Sequence, residues 1–289
     1  MKPQMKNMLA MAAFGTISVF VRNIGLSSFE IAFWRGAVAL MVLWLIRRIG
    51  YRKQGGQVTG RQRFFLFLSG MAVGLNWALL FMAYEYTSVA VATLAYYFAP
   101  VIVIALSPVL FKEKMTLFQF GCFVMAALGL FMVIGTGDLS GGNQMRGILY
   151  GLGAAAFYAG IILANKAVPS VGGLERTYIQ FGGASALLFL ILIMRGGFQV
   201  CQASAGSIAN LLVVGIFHTG LCYWLYFSSI SELPGQQTAI LSYIDPFVAI
   251  LVSVLVFREP IRVSQGIGAG LILGFTCLYE VLKSGKERE

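Results

Sequence analysis

An internal repeat constrains this chain more than any other feature. The stretch FMAYEYTSVAVATLAYYFAPVIVIALSPVLFKEKMT at residues 81–116 returns as YFSSISELPGQQTAILSYIDPFVAILVSVLVFREPIR at residues 226–262. Pro100 and Pro246 stand 146 residues apart. So do Tyr97 and Tyr243, Phe111 and Phe257, Glu113 and Glu259, Gln119 and Gln265, and Gly74 and Gly220. An ungapped match over that span makes the chain two copies of one unit. Each copy carries an apolar run of roughly twenty residues, the helical length of one bilayer core.

Composition decides where such a unit sits. The chain of 289 residues is 58% hydrophobic and 11% charged, with mean hydropathy +0.82. A water-soluble domain carries about 25% charged residues, so this chain cannot build a surface for water and is an integral membrane protein. The net charge of +10 would fit a nucleic-acid partner. The basic residues instead gather on the loops of one side, as cytoplasmic loops do. The expected partners are therefore the lipid bilayer and a small molecule, with no nucleic acid. Cys122, Cys201, Cys222 and Cys277 lie far apart and give neither metal-ligand spacing nor a disulfide framework. No GxxxxGK[ST] loop and no HExxH motif occurs, which argues against direct ATP drive and against a zinc enzyme. No cofactor, no metal and no enzymatic activity is expected.

The pattern predicts an all-α integral membrane protein with ten transmembrane helices. Their spans fall near residues 7–21, 28–46, 64–84, 88–110, 116–134, 145–166, 174–194, 207–231, 235–257 and 263–282. The Gly-rich break at residues 135–144 separates two five-helix repeats, 1–137 and 138–289. With the N-terminus inside, fifteen Lys and Arg residues fall on inner segments and five on outer ones, which places both termini in the cytoplasm. Five is odd, so equivalent helices cross the bilayer in opposite senses. Lys112-Glu113 then faces inward and Arg258-Glu259 outward. Inverted-topology repeats are a transporter architecture, with substrate bound near the midplane between halves.

Several residues inside the spans point to chemistry. Asp245 is a carboxylate at mid-span, which costs about 2.5–3.5 kcal/mol on insertion scales and has to face a cavity or a partner. Its helical neighbours Thr238, Ser242, Ala249 and Ser253 form a small polar stripe, opposite Ile240, Phe247, Leu251 and Val254. It is either a proton or substrate-amine site, or a structural group for backbone freed by Pro246. Pro100 and Pro246 each remove a ladder hydrogen bond, which makes a plain kink or a gating kink. Arg35 lies inside span 2 beside Trp34. It can anchor a substrate carboxylate, pair with Glu30 or pair with Asp245. His218 is the only histidine, in span 8 with Gly215 and Cys222 on its face. It serves packing, cavity lining or proton handling.

Aromatic residues with polar tips complete the candidate site. Asn76 and Trp77 answer Cys222 and Tyr223 at the repeat offset, Tyr96 and Tyr97 answer Ser242 and Tyr243, and Tyr158 lies mid-way along span 6. Such rings suit either interior packing or a cavity for amphipathic solutes. The substrate-binding set is Asn76, Trp77, Tyr96, Tyr97, Tyr158, His218, Tyr243 and Asp245. Gly266, Gly270 and Gly274 form a four-residue ladder in span 10, with Gly121, Met125 and Gly129 in span 5. Small residues at this spacing serve close packing within the monomer or in a homodimer.

Taken together, these residues resemble the EamA family of the drug/metabolite transporter superfamily. The carrying features are ten short spans in two halves, and the endings Phe111-Lys112-Glu113 and Phe257-Arg258-Glu259. To them are added the prolines Pro100 and Pro246, and the like openings AAFG at residues 12–15 and AAAFY at residues 154–158. The resemblance covers essentially the whole chain. It implies a central cavity lined mainly by spans 1, 3, 4, 6, 8 and 9, with spans 5 and 10 at the periphery. Asp245 directly before the span-9 proline is not a general feature of the family. The resemblance implies a secondary transporter in the bacterial plasma membrane that exports amino acids or similar small metabolites, aromatic ones among them. The alternative is a lipid-handling or other non-transport membrane protein.

Overall fold

The computed structural model describes residues 1–49, 58–99, 101–103, 105–106, 117–135, 142–168, 170–230, 233, 241 and 244–286. All regular structure among these residues is helical. The elements are α1 (Pro3–Gly15), α2 (Ile17–Val21), α3 (Ser28–Ile49), α4 (Gly60–Tyr86), α5 (Val89–Tyr96) and α6 (Leu117–Gly135). Then come α7 (Gly142–Ala167), α8 (Gly173–Met194), α9 (Ala205–Leu212), a π-helical segment (Val213–Leu221), α10 (Cys222–Ile230), α11 (Ile244–Leu255) and α12 (Val263–Lys286). Pro100, Tyr243, Thr238, Ser242, Ile240 and the Phe111-Lys112-Glu113 motif lie outside the described residues.

Five helical stretches are long and apolar enough to cross a bilayer: Ser28–Arg48, Gly60–Tyr86, Asn143–Asn165, Gly173–Met194 and Ala205–Tyr226. Val89–Val103, Phe120–Met132, Ile244–Leu255 and Val263–Phe275 are shorter apolar helices. Leu117, Phe131, Met194 and Val263 are each more than two-thirds exposed. So large an apolar surface has no place in water and suits acyl chains. Helix starts are capped where the chain re-enters the bundle. Thr59 and Gln62 form a reciprocal capping box at α4, and the Ser88 hydroxyl accepts from the Val91 N–H at α5.

Packing between the halves is reciprocal. α4 lies on α7 as α10 lies on α1, and α4 lies on α8 as the π segment lies on α3. α5 lies on α7 as α11 lies on α1, while α3–α8, α5–α11 and α6–α12 pair with their own counterparts. The exchange holds at single residues. A Cβ on Gly74 would fall 3.2 Å from Leu188, and one on Gly220 would fall 2.8 Å from Val42. Gly220 and Leu188 are Gly74 and Val42 displaced by the same 146 residues.

The tightest crossing joins α4 to α8. A Cβ on Gly183 would lie 2.0 Å from the Phe67 carbonyl oxygen, and one on Gly70 2.0 Å from that of Gln180. Gly183→Leu is therefore expected to force the helices apart and to destabilise by about 3 kcal/mol, the upper range of overpacking. Gly182→Leu, where a Cβ meets nothing within 4 Å, is the matched control. Thermal unfolding in detergent compares the two.

Two sequence expectations are revised. Span 1 is not one helix. It breaks at Thr16, where backbone bonds shorten to Thr16 N–H to Ala13 O and Val19 N–H to Thr16 O, and the hydroxyl also takes Ala13 O at 2.8 Å. Gly15, just before the break, lies so close to α11 that a Cβ would be 2.6 Å from the Asp245 carbonyl oxygen. Span 8 carries a nine-residue π segment, Val213–Leu221, which removes Gly215 and Cys222 from a shared α-helical face with His218. Its wider turn instead aligns Gly215 and Gly220, five apart, on Val38 and Val42 of α3. The glycine ladder of α12 makes no close contact within the monomer among the described residues. Gly266, Gly270 and Gly274 meet no atom within 4 Å, and the α6–α12 contact runs through Gly129 against Gly268.

Candidate functional site

The site starts where α5 ends. Ser88 fixes its first turn, and after Tyr96 the chain tightens into a turn with Phe98 N–H on Ala95 O. That turn presents two adjacent tyrosines. Tyr97 donates its hydroxyl to Asp245 Oδ2 at 2.5 Å. Tyr96 stacks on Tyr158 of α7, with ring centres 5.2 Å apart, and meets Tyr97 edge-on at 5.5 Å. Asp245 is held inward by α11, whose Ala249 and Ser253 are buried while Phe247, Leu251 and Val254 are exposed. That matches the two faces read from the sequence. Tyr96, Tyr97, Tyr158 and Asp245 are all half-buried, although Ala95, Ala99, Ala155 and Ala159 around them are sealed.

Arg35 forms a second group. It is 5% exposed on α3. Its Nε donates to Thr219 Oγ1 at 2.8 Å, and Thr219 in turn donates to Val214 O at 2.8 Å, a five-residue reach that the π turn permits. Its guanidinium lies 4.4 Å over the Trp77 ring and 5.4 Å from Phe81. From Trp77 an aromatic chain continues through Phe181 to Tyr223 and Phe14 at centre distances of 5.0–5.2 Å. Arg35 forms an ion pair with neither carboxylate suggested for it. Glu30 accepts from Gln199 N–H at 2.8 Å, and the ion pairs among the described residues are Arg22–Glu259 and Arg47–Glu175. Tyr96, Tyr223 and Asp245 are nonetheless electrostatic neighbours of Arg35.

Other candidates are placed differently. His218 is 1% exposed and bridges two irregular helices: Nε2 lies 3.1 Å from Thr16 Oγ1 and Nδ1 3.4 Å from Val213 O. Asn76 spends its amide on Ala154 O at 2.7 Å, tying α4 to α7. Pro246 follows Asp245 in α11 and is buried.

Sequence reasoning passed over a cluster at one end of the bundle. Arg22 pairs with Glu259 at 2.6 Å and also donates to the Tyr84 and Thr87 carbonyls at 3.1 Å. The other Glu259 oxygen accepts from Val89 N–H at 2.9 Å and from the Ser253 hydroxyl at 2.5 Å. Cavities of about 450 and 310 Å3 adjoin this clasp and share Arg22, Tyr84 and Glu85. Arg258 turns the chain so that Glu259 folds back, at a φ of 53°. A left-handed residue with a Cβ costs about 1–2 kcal/mol. Arg258→Gly is therefore expected to raise thermal stability by about 1 kcal/mol, read by unfolding in detergent. Arg22, Thr16 and Thr219 were legible only as polar residues in or at the end of apolar spans. Glu259 was legible only as a repeat mate.

Apolar helices with lipid-facing exteriors around an interior of tyrosines with Asp245 and Arg35 define a polytopic helical membrane protein with a polar core site. The EamA-like transporter family matches it twice, over residues 5–135 and 145–280, and the chain belongs to that family. It is 27% identical over 283 residues to the uncharacterized transporter YxxF of Bacillus subtilis, covering 97% of this chain and 90% of that protein. An uncharacterized transporter of Archaeoglobus fulgidus is 28% identical over 271 residues, 92% of this chain and 91% of its own. Solute carrier family 35 member G1 of Mus musculus is 26% identical over 72% of this chain and 59% of its own. One solved crystal structure of a protein superposes over 98% of both chains with a TM-score of 0.65 at 16% identity, a likeness of fold.

Proposed function

We propose that this membrane transporter is a secondary exporter of amino acids or similar small amphipathic metabolites in a bacterial plasma membrane, working by alternating access around a midplane cavity. The observation that carries the reading is the half-buried group of Tyr96, Tyr97, Tyr158 and Asp245 where α5, α7 and α11 meet. Aromatic walls with one carboxylate and one buried guanidinium suit a neutral or zwitterionic solute. A strongly anionic one would call for several interior cations. Ten crossings in two inverted halves, residues 1–137 and 138–289, give the reading its mechanics. The reciprocal packing and the two family matches support that division. The Arg22–Glu259 clasp then closes the outer end, with both termini in the cytoplasm.

Counterflow tests the function. Proteoliposomes preloaded with an unlabelled amino acid are expected to accumulate the same labelled amino acid transiently, for at least one large apolar or aromatic member of a panel. Accumulation equal to protein-free liposomes across the panel rejects the substrate class. Orientation is tested separately. In a cysteine-free background an impermeant thiol reagent added outside is expected to modify Glu259→Cys and spare Glu113→Cys.

A further inference from the structure

We infer that Arg35 receives the carboxylate of the transported solute while Asp245 receives its ammonium, so that the cavity selects α-amino acids over the corresponding amines. The inference rests on the exporter reading and names the chemistry of its site. Four observations meet in it. Arg35 is more than nine-tenths buried, where a lone cation is costly. Among the described residues its one hydrogen bond runs from Nε to the neutral Thr219 hydroxyl. The two terminal nitrogens have no hydrogen-bond partner among the described residues, and neither is fully enclosed. An unpaired guanidinium edge bordering accessible space is the donor fork that matches a carboxylate bidentately.

The second pole is also present. Asp245 keeps one oxygen on Tyr97 and is an electrostatic neighbour of Arg35 without an ion pair to it. The two charges are held apart by different scaffolds. Thr219 and the Trp77 face fix Arg35 from the π segment and α4, while Tyr97 fixes Asp245 from α5. Two opposite charges that approach without collapsing onto each other present complementary ends to a zwitterion. The stacked rings of Tyr96 and Tyr158 adjoin the Tyr97–Asp245 pair and would meet its side chain.

The test uses full-length protein in proteoliposomes and four probes with one phenyl side chain: phenylalanine, phenylalaninamide, 3-phenylpropionate and phenethylamine. Each is measured for binding by tryptophan fluorescence, since Trp77 lies under Arg35, and for transport by counterflow. In the wild-type protein, loss of the carboxylate is expected to weaken binding about ten- to a hundredfold, the range for a hydrogen-bonded charged group. In Arg35→Gln, phenylalanine and phenylalaninamide are expected to bind equally, with Arg35→Lys intermediate because the fork is lost and the charge kept. Equal binding of phenylalanine and phenylalaninamide by wild type overturns the proposal without needing any variant to fold. So does a parallel loss for both probes in Arg35→Gln. If 3-phenylpropionate matches phenylalanine and depends on Arg35, the carboxylate site stands and the amino acid reading falls. Failure of all four probes to bind overturns both.

Discussion

Asp245→Asn is expected to reach the membrane in normal amount and to lose most concentrative transport, about tenfold to a hundredfold from the charged contact alone. Asparagine keeps the volume, and its side-chain oxygen still accepts the Tyr97 hydroxyl that Asp245 accepts now. The fold therefore has little reason to fail. What disappears is the charge. Counterflow distinguishes the roles a carboxylate can play here. A residue that only couples transport to protons leaves exchange intact and removes its dependence on a proton gradient. A residue that binds the solute loses both. A shared zwitterion site with Arg35 predicts loss of both. Wild-type transport by Asp245→Asn, with unchanged affinity, would make the residue structural.

The second large effect belongs to the Arg22–Glu259 clasp. Glu259 gathers Arg22, the Val89 N–H and the Ser253 hydroxyl, which joins α2, α5 and α11 at one point. Glu259→Gln keeps neutral hydrogen bonds and removes the ionic one, a loss of about 1.5–3 kcal/mol for a bond to a charged group. Partial exposure of the pair, 28% and 15% for the two side chains, argues for the lower end. Moving a conformational equilibrium from 1:99 to 99:1 takes about 5.5 kcal/mol, so this single change is expected to shift populations about tenfold toward an open end without abolishing closure. Arg22→Glu places two carboxylates together and is expected to hold that end open and stop net transport. Combining Arg22→Glu with Glu259→Arg should recover part of it. Transport by Arg22→Glu equal to wild type would show that the clasp plays no part in closure.

Much of this arrangement could be read from residues alone, for physical reasons that differ from place to place. The repeat was legible because 146-residue identities such as Gly74 and Gly220 mark positions where helices touch, and contact tolerates few residue types. The inward face of α11 was legible because Asp245, Ala249 and Ser253 follow a helical period against Phe247, Leu251 and Val254. The π segment was not. Only the five-residue spacing of Gly215 and Gly220 hints at a wider turn, and in an apolar run that spacing has no meaning until Val38 and Val42 lie opposite. The break at Thr16 was hidden for a related reason. Threonine is tolerated within helices, and the close approach of Gly15 to α11 beside the break is a tertiary fact. Arg35 was visible as an anomaly, but its partners were not, because Thr219 reaches it across 184 residues of chain.

Alternating access requires a single interior site reached from one side of the membrane at a time. Thiol accessibility of Tyr158→Cys in a cysteine-free background tests it most directly. In the state described here, with Arg22 and Glu259 joined, an impermeant reagent is expected to reach this position from the cytoplasmic side and be excluded from outside. Adding Arg22→Glu is expected to reverse that pattern, and a transported amino acid is expected to protect the cysteine in both cases. Labelling only by a lipid-soluble reagent, with no protection by any solute, would place Tyr158 against the bilayer and contradict the account.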